Sequence, residues 1–228
     1  MIKVENIEVF NFEGAIRGMR NPMNSWDKSD SGNGCCKSTN YQKFVLCDNC
    51  PEECVGNALC DRENSYYQIG ENDLDLMHRL YVAGVEHRKV LRQIFVSMDV
   101  TAPTYVWAEI DTYKVGVTRN SCSFMHKGLS KPFEYNDFST HGYCKEWDYI
   151  IDELNDLREK WLETKDAELF ERIRCMLPSG YNQKATLTMN YENVVNIINQ
   201  RSNHRLSEWR EFCKILRDLP YVREIMEG

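Results

Sequence analysis

RCMLPSGYNQKATLTMNYENVVNIINQRSNHRLSEW, residues 174–209, sets Arg174, Asn190, Asn196 and Arg201 around a proline and an apolar helical run. Leu177-Pro178 should end the helix that carries Arg174, because proline has no N–H to donate and clashes with the preceding turn. Asn190 and Arg201 stand eleven residues apart. At about 100° per helical residue they would fall within roughly 20° of one another. Val194, Ile197 and Ile198 fall beside them, so the amide and the guanidinium are only half solvated and each needs a partner. A guanidinium is a planar fork that matches phosphate or carboxylate, and an Asn amide reads both donors and acceptors on a flat ring. Taken singly, each residue reads first as a surface arginine or a satisfied asparagine. The four together ask for a ligand.

Working outward, residues 166–176 read as a helix delivering Arg174 at its end, and residues 146–162 as a long helix with Trp147, Ile150, Ile151, Leu154, Leu157 and Trp161 at helical spacing. That stripe is core or interface. Helices at about 190–200, 205–217 and 220–226 form a tail in which Trp209, Phe212 and Leu216 pack inward. Toward the N-terminus, residues 2–10 alternate as a strand and residues 12–20 as a helix ending before Asn21-Pro22. Glu71–Ala83 is amphipathic with Gly84 as its stop, and residues 86–93 extend as a further helix. Residues 94–100 then form a strand leading to Ala102-Pro103. His87, in the charged run EHRK, reads on its own as an exposed helical residue.

The chain has 228 residues, 42% hydrophobic and 11% aromatic, enough for one folded domain with a sizeable core. Its 28 basic against 35 acidic residues give a net charge of -7, which argues against duplex nucleic-acid binding but leaves room for a local mononucleotide pocket. No apolar run reaches the roughly 20 residues of a membrane span. The N-terminus reads as a strand rather than a signal peptide, so a cytoplasmic location is expected. Six of the ten cysteines, Cys35, Cys36, Cys47, Cys50, Cys54 and Cys60, lie in a Ser-, Asp-, Asn- and Gly-rich insertion at about 25–65. Cys47-x-x-Cys50 has zinc-knuckle spacing. Cys54 or Cys60, with Cys35 or Cys36, could complete a tetrahedral thiolate site for zinc or an iron–sulfur cluster, while free or incidentally paired thiols are the plainer reading. No GxGxxG turn, Walker loop, HExxH or GxSxG occurs.

The order Arg174, Leu177-Pro178, Asn190, Asn196, Arg201, His204 and Trp209 resembles the C-terminal part of the flavin-dependent thymidylate synthases. Ala102-Pro103 after a strand, and Ala15-Ile16-Arg17-x-x-Arg20, are further similarities. The resemblance covers most of the chain outside about 25–65 and 128–150. It implies an α+β fold, a mixed or antiparallel sheet with flanking helices, on which the Cys-rich insertion sits within a single domain of residues 1–228. It also implies that Arg174 and Arg201 bind a pyrimidine nucleotide, with Arg201 the catalytic arginine, and that Asn190 and Asn196 bind FAD. Glu86-His87 lies nearest to the family's flavin-side histidine. The implied chemistry is one-carbon transfer from methylene-tetrahydrofolate to a uracil ring, with reduced FAD supplying hydride at NADPH's expense, in a homotetramer.

One departure stands out. Where the family has Arg-His-Arg before a serine-rich turn, this chain has Thr112-Tyr113-Lys114, followed by Arg119, Asn120, Ser121 and Ser123. One cation survives, and lysine is a point charge rather than a fork. Lys114, Ser121 and Ser123 would then hold phosphate, with Arg119 or His126 replacing a lost cation. Two alternatives to the enzyme follow: a nucleotide binder with altered chemistry, or a metal-stapled interaction module on the same fold.

Overall fold

The computed structural model describes residues 2–33 and 67–228. Cys35, Cys36, Cys47, Cys50, Cys54 and Cys60 lie outside the described residues, and with them the expected metal site. Among the described residues, no group of three or more His, Cys, Asp or Glu is placed to hold a metal, and no helix is long and apolar enough to cross a membrane.

In chain order the elements are β1 (Lys3–Phe10), α1 (Phe12–Arg20), β2 (Gly32–Asn33), β3 (Tyr67–Gln68), α2 (Glu71–Ala83), β4 (Phe95–Pro103), α3 (Thr104–Ile110), β5 (Thr118–Ser121), α4 (Phe124–Lys127), α5 (Lys145–Thr164), α6 (Ala167–Met176), β6 (Asn182–Asn190), α7 (Tyr191–Arg201), α8 (Ser207–Arg217) and α9 (Val222–Glu227). The fold is α+β. The main sheet has the order β1-β4-β6-β5, and β5 runs antiparallel to β6 from Thr118↔Thr188 to Ser121↔Ala185. β2 and β3 form a separate antiparallel ribbon. In β4, Val96, Met98, Val100 and Ala102 are buried while the alternate residues stay half-exposed, the two-residue period of a strand with one covered face.

Two compact units divide the chain. The first comprises the N-terminal residues through Ile7 with Ser97–Thr188 and Asn203–Phe212. Its aromatic core joins Phe124, Phe133 and Phe138 to Leu154, Leu157 and Ile173. The expected stripe of α5 packs here, with Trp147, Ile150, Ile151 and Trp161 against that core. The second unit comprises Glu8–Val96, Met189–Ser202 and Cys213–Gly228. There Phe12 meets Tyr191 and Tyr221 edge-on, at 6.0 Å and 5.6 Å between ring centroids. Ile16, Met77, Leu91, Ile94, Val194, Ile197, Ile198 and Ile225 complete its interior.

Local chemistry sets the element ends. Asp30 Oδ2 and Oδ1 accept from the backbone N–H of Asn72 (2.9 Å) and Asp73 (3.2 Å), tying down the start of α2. The side chain of Asp30 comes so close to Gly70 that a Cβ there would lie 2.1 Å from its carboxyl carbon, so only glycine fits. α2 stops at Gly84, with φ +131°, as expected. Residues 86–93 do not continue as a helix. They form two separate 3-10 turns, Val85–His87 and Leu91–Gln93, because Gly84 breaks the helical path. Arg88 Nε instead reaches back to Tyr81 O at 2.9 Å, with the guanidinium over the Tyr81 ring.

Candidate functional site

In the second unit, Asn190 is the last residue of β6, not a residue of a helix. Its backbone is extended (φ -92°, ψ 165°), and its Oδ1 accepts from the backbone N–H of Asn193 at 3.0 Å and from Asn193 Nδ2 at 2.9 Å. The side chain caps α7, which removes the helical-angle argument that put it beside Arg201. Short polar side chains make this exchange readily at helix starts. Asn196 and Arg201 do share α7, but five residues apart they point roughly 140° away from each other. Helical counting therefore does not place Asn190 with Arg201, and Asn196 lies on another side of α7 from Arg201.

What remains at the start of α7 is still chemically specific. Asn190 Nδ2 donates no hydrogen bond among the described residues, and Asn196 is a half-buried amide one helical turn beyond Glu192. Glu192 Oε2 accepts from Arg92 Nε at 2.6 Å, while its Oε1 is buried with no hydrogen-bond partner among the described residues. Glu192 and Asn196, four residues apart, lie on one face. A buried acceptor with two amides suits a flat group that both donates and accepts. Arg201 is half-buried at the C-terminus of α7, where the helix dipole favours a cation. His87 is half exposed in its 3-10 turn, 3.6 Å from the Glu86 carboxylate.

The capping role makes a prediction. Asn190→Ala loses about 1 kcal/mol of helix capping, which lowers Tm by roughly 2–4 °C in a chain of this size. Asn190→Ser, whose hydroxyl can accept from Asn193, keeps most of it. A thermal melt that does not separate alanine from serine would remove the cap from the account of this residue.

In the first unit, Arg174 occupies the last turn of α6, is exposed, and makes no ion pair among the described residues. Its guanidinium carbon stands 4.9 Å from the centroid of Phe124, a cation–π contact that fixes the side chain and leaves its edge to solvent. Asp166 caps α6 at the other end by accepting from the Glu168 N–H at 2.9 Å. The expected serine-rich turn is absent: Thr118–Ser121 is strand β5, and the Cys122 N–H extends its ladder to Lys184 O at 2.9 Å. Ser121 therefore sits in a strand and Ser123 just before α4, both half-buried. Pairing with β6, some 65 residues away, overrides the local turn preference.

Arg119 is already engaged. Its Nη1 is 3.1 Å from Asp111 Oδ2, and its guanidinium lies 4.9 Å from the Trp107 ring centroid. Its guanidinium is held by these two contacts. Tyr113 packs its ring 6.3 Å from that of Trp209, while Lys114 is exposed and His126 lies on the exposed side of α4.

One cluster was not foreseen. Glu208, in the first turn of α8, is wholly buried, and its Oε1 accepts from Tyr105 Oη at 2.7 Å and lies 3.0 Å from His141 Nε2. Burial pushes the Glu208 carboxyl up, but the Tyr105 hydroxyl and the other hydrogen bonds outweigh it, and the group titrates below its ordinary value. Burial and the adjoining carboxylate hold the Tyr105 phenol well above its usual range. The only trace in the sequence is an acid beside a buried tryptophan; its partners lie 103 and 67 residues away.

The model of the thymidylate synthase complementing protein family matches residues 40–221, which include every residue from Arg174 to Trp209. The chain belongs to that family. Two crystal structures of thymidylate synthase X from Helicobacter pylori, each described as containing FAD and dUMP, share its fold. One aligns with a TM-score of 0.65 at 14% identity over 100% of this chain and 98% of the other. The second aligns with a TM-score of 0.64 at 15% identity over 99% and 98%. No curated protein matches the sequence.

Proposed function

We propose that this chain is a divergent flavin-dependent thymidylate synthase acting on a pyrimidine nucleotide, dUMP by analogy with the Helicobacter relative, in the cytoplasm and as a homotetramer. The observation that carries the reading is the family match spanning the ordered set Arg174, Asn190, Asn196 and Arg201. FAD, when bound, would supply hydride, with methylene-tetrahydrofolate as one-carbon donor and NADPH as reductant. Asn196, the spare Nδ2 of Asn190 and the unpartnered Glu192 Oε1 suit the edge of a flavin ring, which presents both donors and acceptors. Arg174, exposed and without an ion pair among the described residues, suits the nucleotide phosphate, and Arg201 the reacting pyrimidine. His87, Lys114, Ser121 and Ser123 remain supporting contacts in this proposal.

The test is an absorbance titration with FAD, followed by dUMP and folate in a dTMP-forming assay. Uptake of FAD that is lost in Asn196→Ala at unchanged Tm supports the reading. Absence of flavin binding at saturating FAD rejects it. One observation favours a second reading, a nucleotide binder with altered chemistry: Thr112-Tyr113-Lys114 leaves one exposed cation, and Arg119 is paired with Asp111. FAD and dUMP binding without dTMP formation would select it.

A further inference from the structure

The turn that follows Arg174 is held from two sides. From α3, the Thr104 N–H donates to Tyr181 O at 3.0 Å, Thr104 Oγ1 to Ser179 O at 2.8 Å, and the Tyr105 N–H to Ser179 O at 3.2 Å. From residues 138–142, the Ser139 N–H donates to Gly180 O at 2.8 Å and Ser139 Oγ to Asn182 Oδ1 at 2.7 Å. The backbones touch: a Cβ on Gly180 would lie 3.2 Å from Ser139 O. Tyr181 then sets its ring edge-on to Phe124, 5.7 Å between centroids, and Phe124 is the ring on which the Arg174 guanidinium rests.

The strap that holds this turn needs a fastening of its own. It reverses through His141 (φ +54°) and Gly142 (φ +119°), and the left-handed region disfavours any residue other than glycine. His141 is more than half exposed, yet its imidazole reaches the wholly buried Glu208 and lies 3.2 Å from Tyr105 Oη. Tyr105 joins the two sides, its N–H on the turn and its hydroxyl on Glu208. A carboxylate buried at the start of a helix, with a phenol donor and an imidazole, is a rigid anchor, because charge-assisted bonds are short and strong out of water.

We propose that His141 is a positioning residue: clasped on Glu208 and Tyr105, it fastens the strap 139–142 over the turn 178–181 and so fixes the end of α6 that presents Arg174. The consequence for substrate rests on the nucleotide reading above; the clasp itself does not.

The experiment compares wild type with His141→Ala, His141→Gln and Glu208→Gln. Hydrogen exchange is followed at the amides of Ser139, Tyr105 and Tyr181, alongside FAD and dUMP titrations. In His141→Ala exchange at these amides is expected to rise about tenfold, the loss of one charge-assisted contact. The dUMP Kd should rise roughly five- to tenfold while the FAD Kd is unchanged. Glu208→Gln should behave alike. His141→Gln, which can still donate an N–H to Glu208, should recover most of both effects, a rescue that a merely space-filling role does not produce. Unchanged exchange in His141→Ala, or faster exchange with an unchanged dUMP Kd, overturns the proposal. If wild type takes up no dUMP, the nucleotide reading fails separately, and exchange decides the clasp: release in His141→Ala with recovery in His141→Gln supports it, and equal rates in all three overturn it.

Discussion

Asp73→Ala is expected to lower the unfolding free energy by about 3–5 kcal/mol, the cost of leaving one partner of a buried ion pair uncompensated. Asp73 is wholly buried, and Arg20 nearly so. Arg20 Nε and Nη2 meet Asp73 Oδ1 at 2.8 Å and 2.7 Å, while Ser29 Oγ and Ser31 Oγ each donate to Oδ2 at 2.6 Å. Arg20 Nη2 also donates to Lys28 O at 3.2 Å, so α1, the segment 28–31 and α2 are tied at one carboxylate. Without it the guanidinium keeps its charge and loses its counter-ion. Burial alone would raise the Asp73 carboxyl, but the two serines and Arg20 outweigh it and its pKa lies below the ordinary value. A depressed folded-state pKa stabilises the protein above the unfolded value, about 3.9, and that contribution is lost as pH falls through the folded pKa. Urea unfolding of wild type should therefore weaken below about pH 4, and Asp73→Asn, less stable at pH 7, should lack that part of the slope. A loss under about 1 kcal/mol at pH 7 for Asp73→Ala would show that the pair does not hold these elements together.

Nothing in the local pattern announced that knot. Asp73 reads as an ordinary acid in a helical first turn, where the dipole alone would favour it, and its partners lie 53, 44 and 42 residues away. Elements whose signal is local were legible. The stripe of α5, the run of α6 to Leu177-Pro178 and the helices after Tyr191 follow from 3.6-residue spacing and a proline. Errors arose where one residue's backbone decides. Asn190 stands one position before the helix and caps it, which moves it off the face where helical counting placed it. Gly84 stops α2 as its sequence suggests, but residues 86–93 beyond it form two 3-10 turns rather than the further helix expected there.

The candidate site divides along the same line. The order of Arg174, Asn190, Asn196 and Arg201 is a one-dimensional signal, and the family model spans it. Which cations remain available is a three-dimensional fact. Arg119 is held by Asp111 and Trp107, contacts that no sequence spacing reveals. Glu208, Tyr105 and His141 come from three distant segments with no spacing rule among them.

That loss of cations sets the last expectation. With Arg-His-Arg replaced and Arg119 paired to Asp111, the nucleotide reading proposed above gives the phosphate to Arg174 and Lys114, both exposed. Arg174 alone of the two offers a fork, and Phe124 has already oriented it. Two charge-assisted bonds at roughly 1.5 kcal/mol each amount to about 3 kcal/mol, so Arg174→Ala should weaken dUMP binding by about 150-fold. Arg174→Lys keeps the charge but not the planar pair of donors, and should fall between. Lys114→Ala should cost less than tenfold, and Arg119→Ala should change stability rather than dUMP affinity, since its charge is spent on Asp111. FAD affinity should be unchanged in Arg174→Ala and Tm should fall by no more than a few degrees, because the residue is exposed and loss of its contact with the Phe124 ring costs roughly 0.5–1 kcal/mol. Isothermal titration with dUMP on the FAD-loaded protein separates these cases. Wild-type affinity in Arg174→Ala would move the phosphate elsewhere and leave Lys114 as the cation to test. A large loss in Arg119→Ala at unchanged stability would mean instead that the Asp111 pair opens to admit substrate.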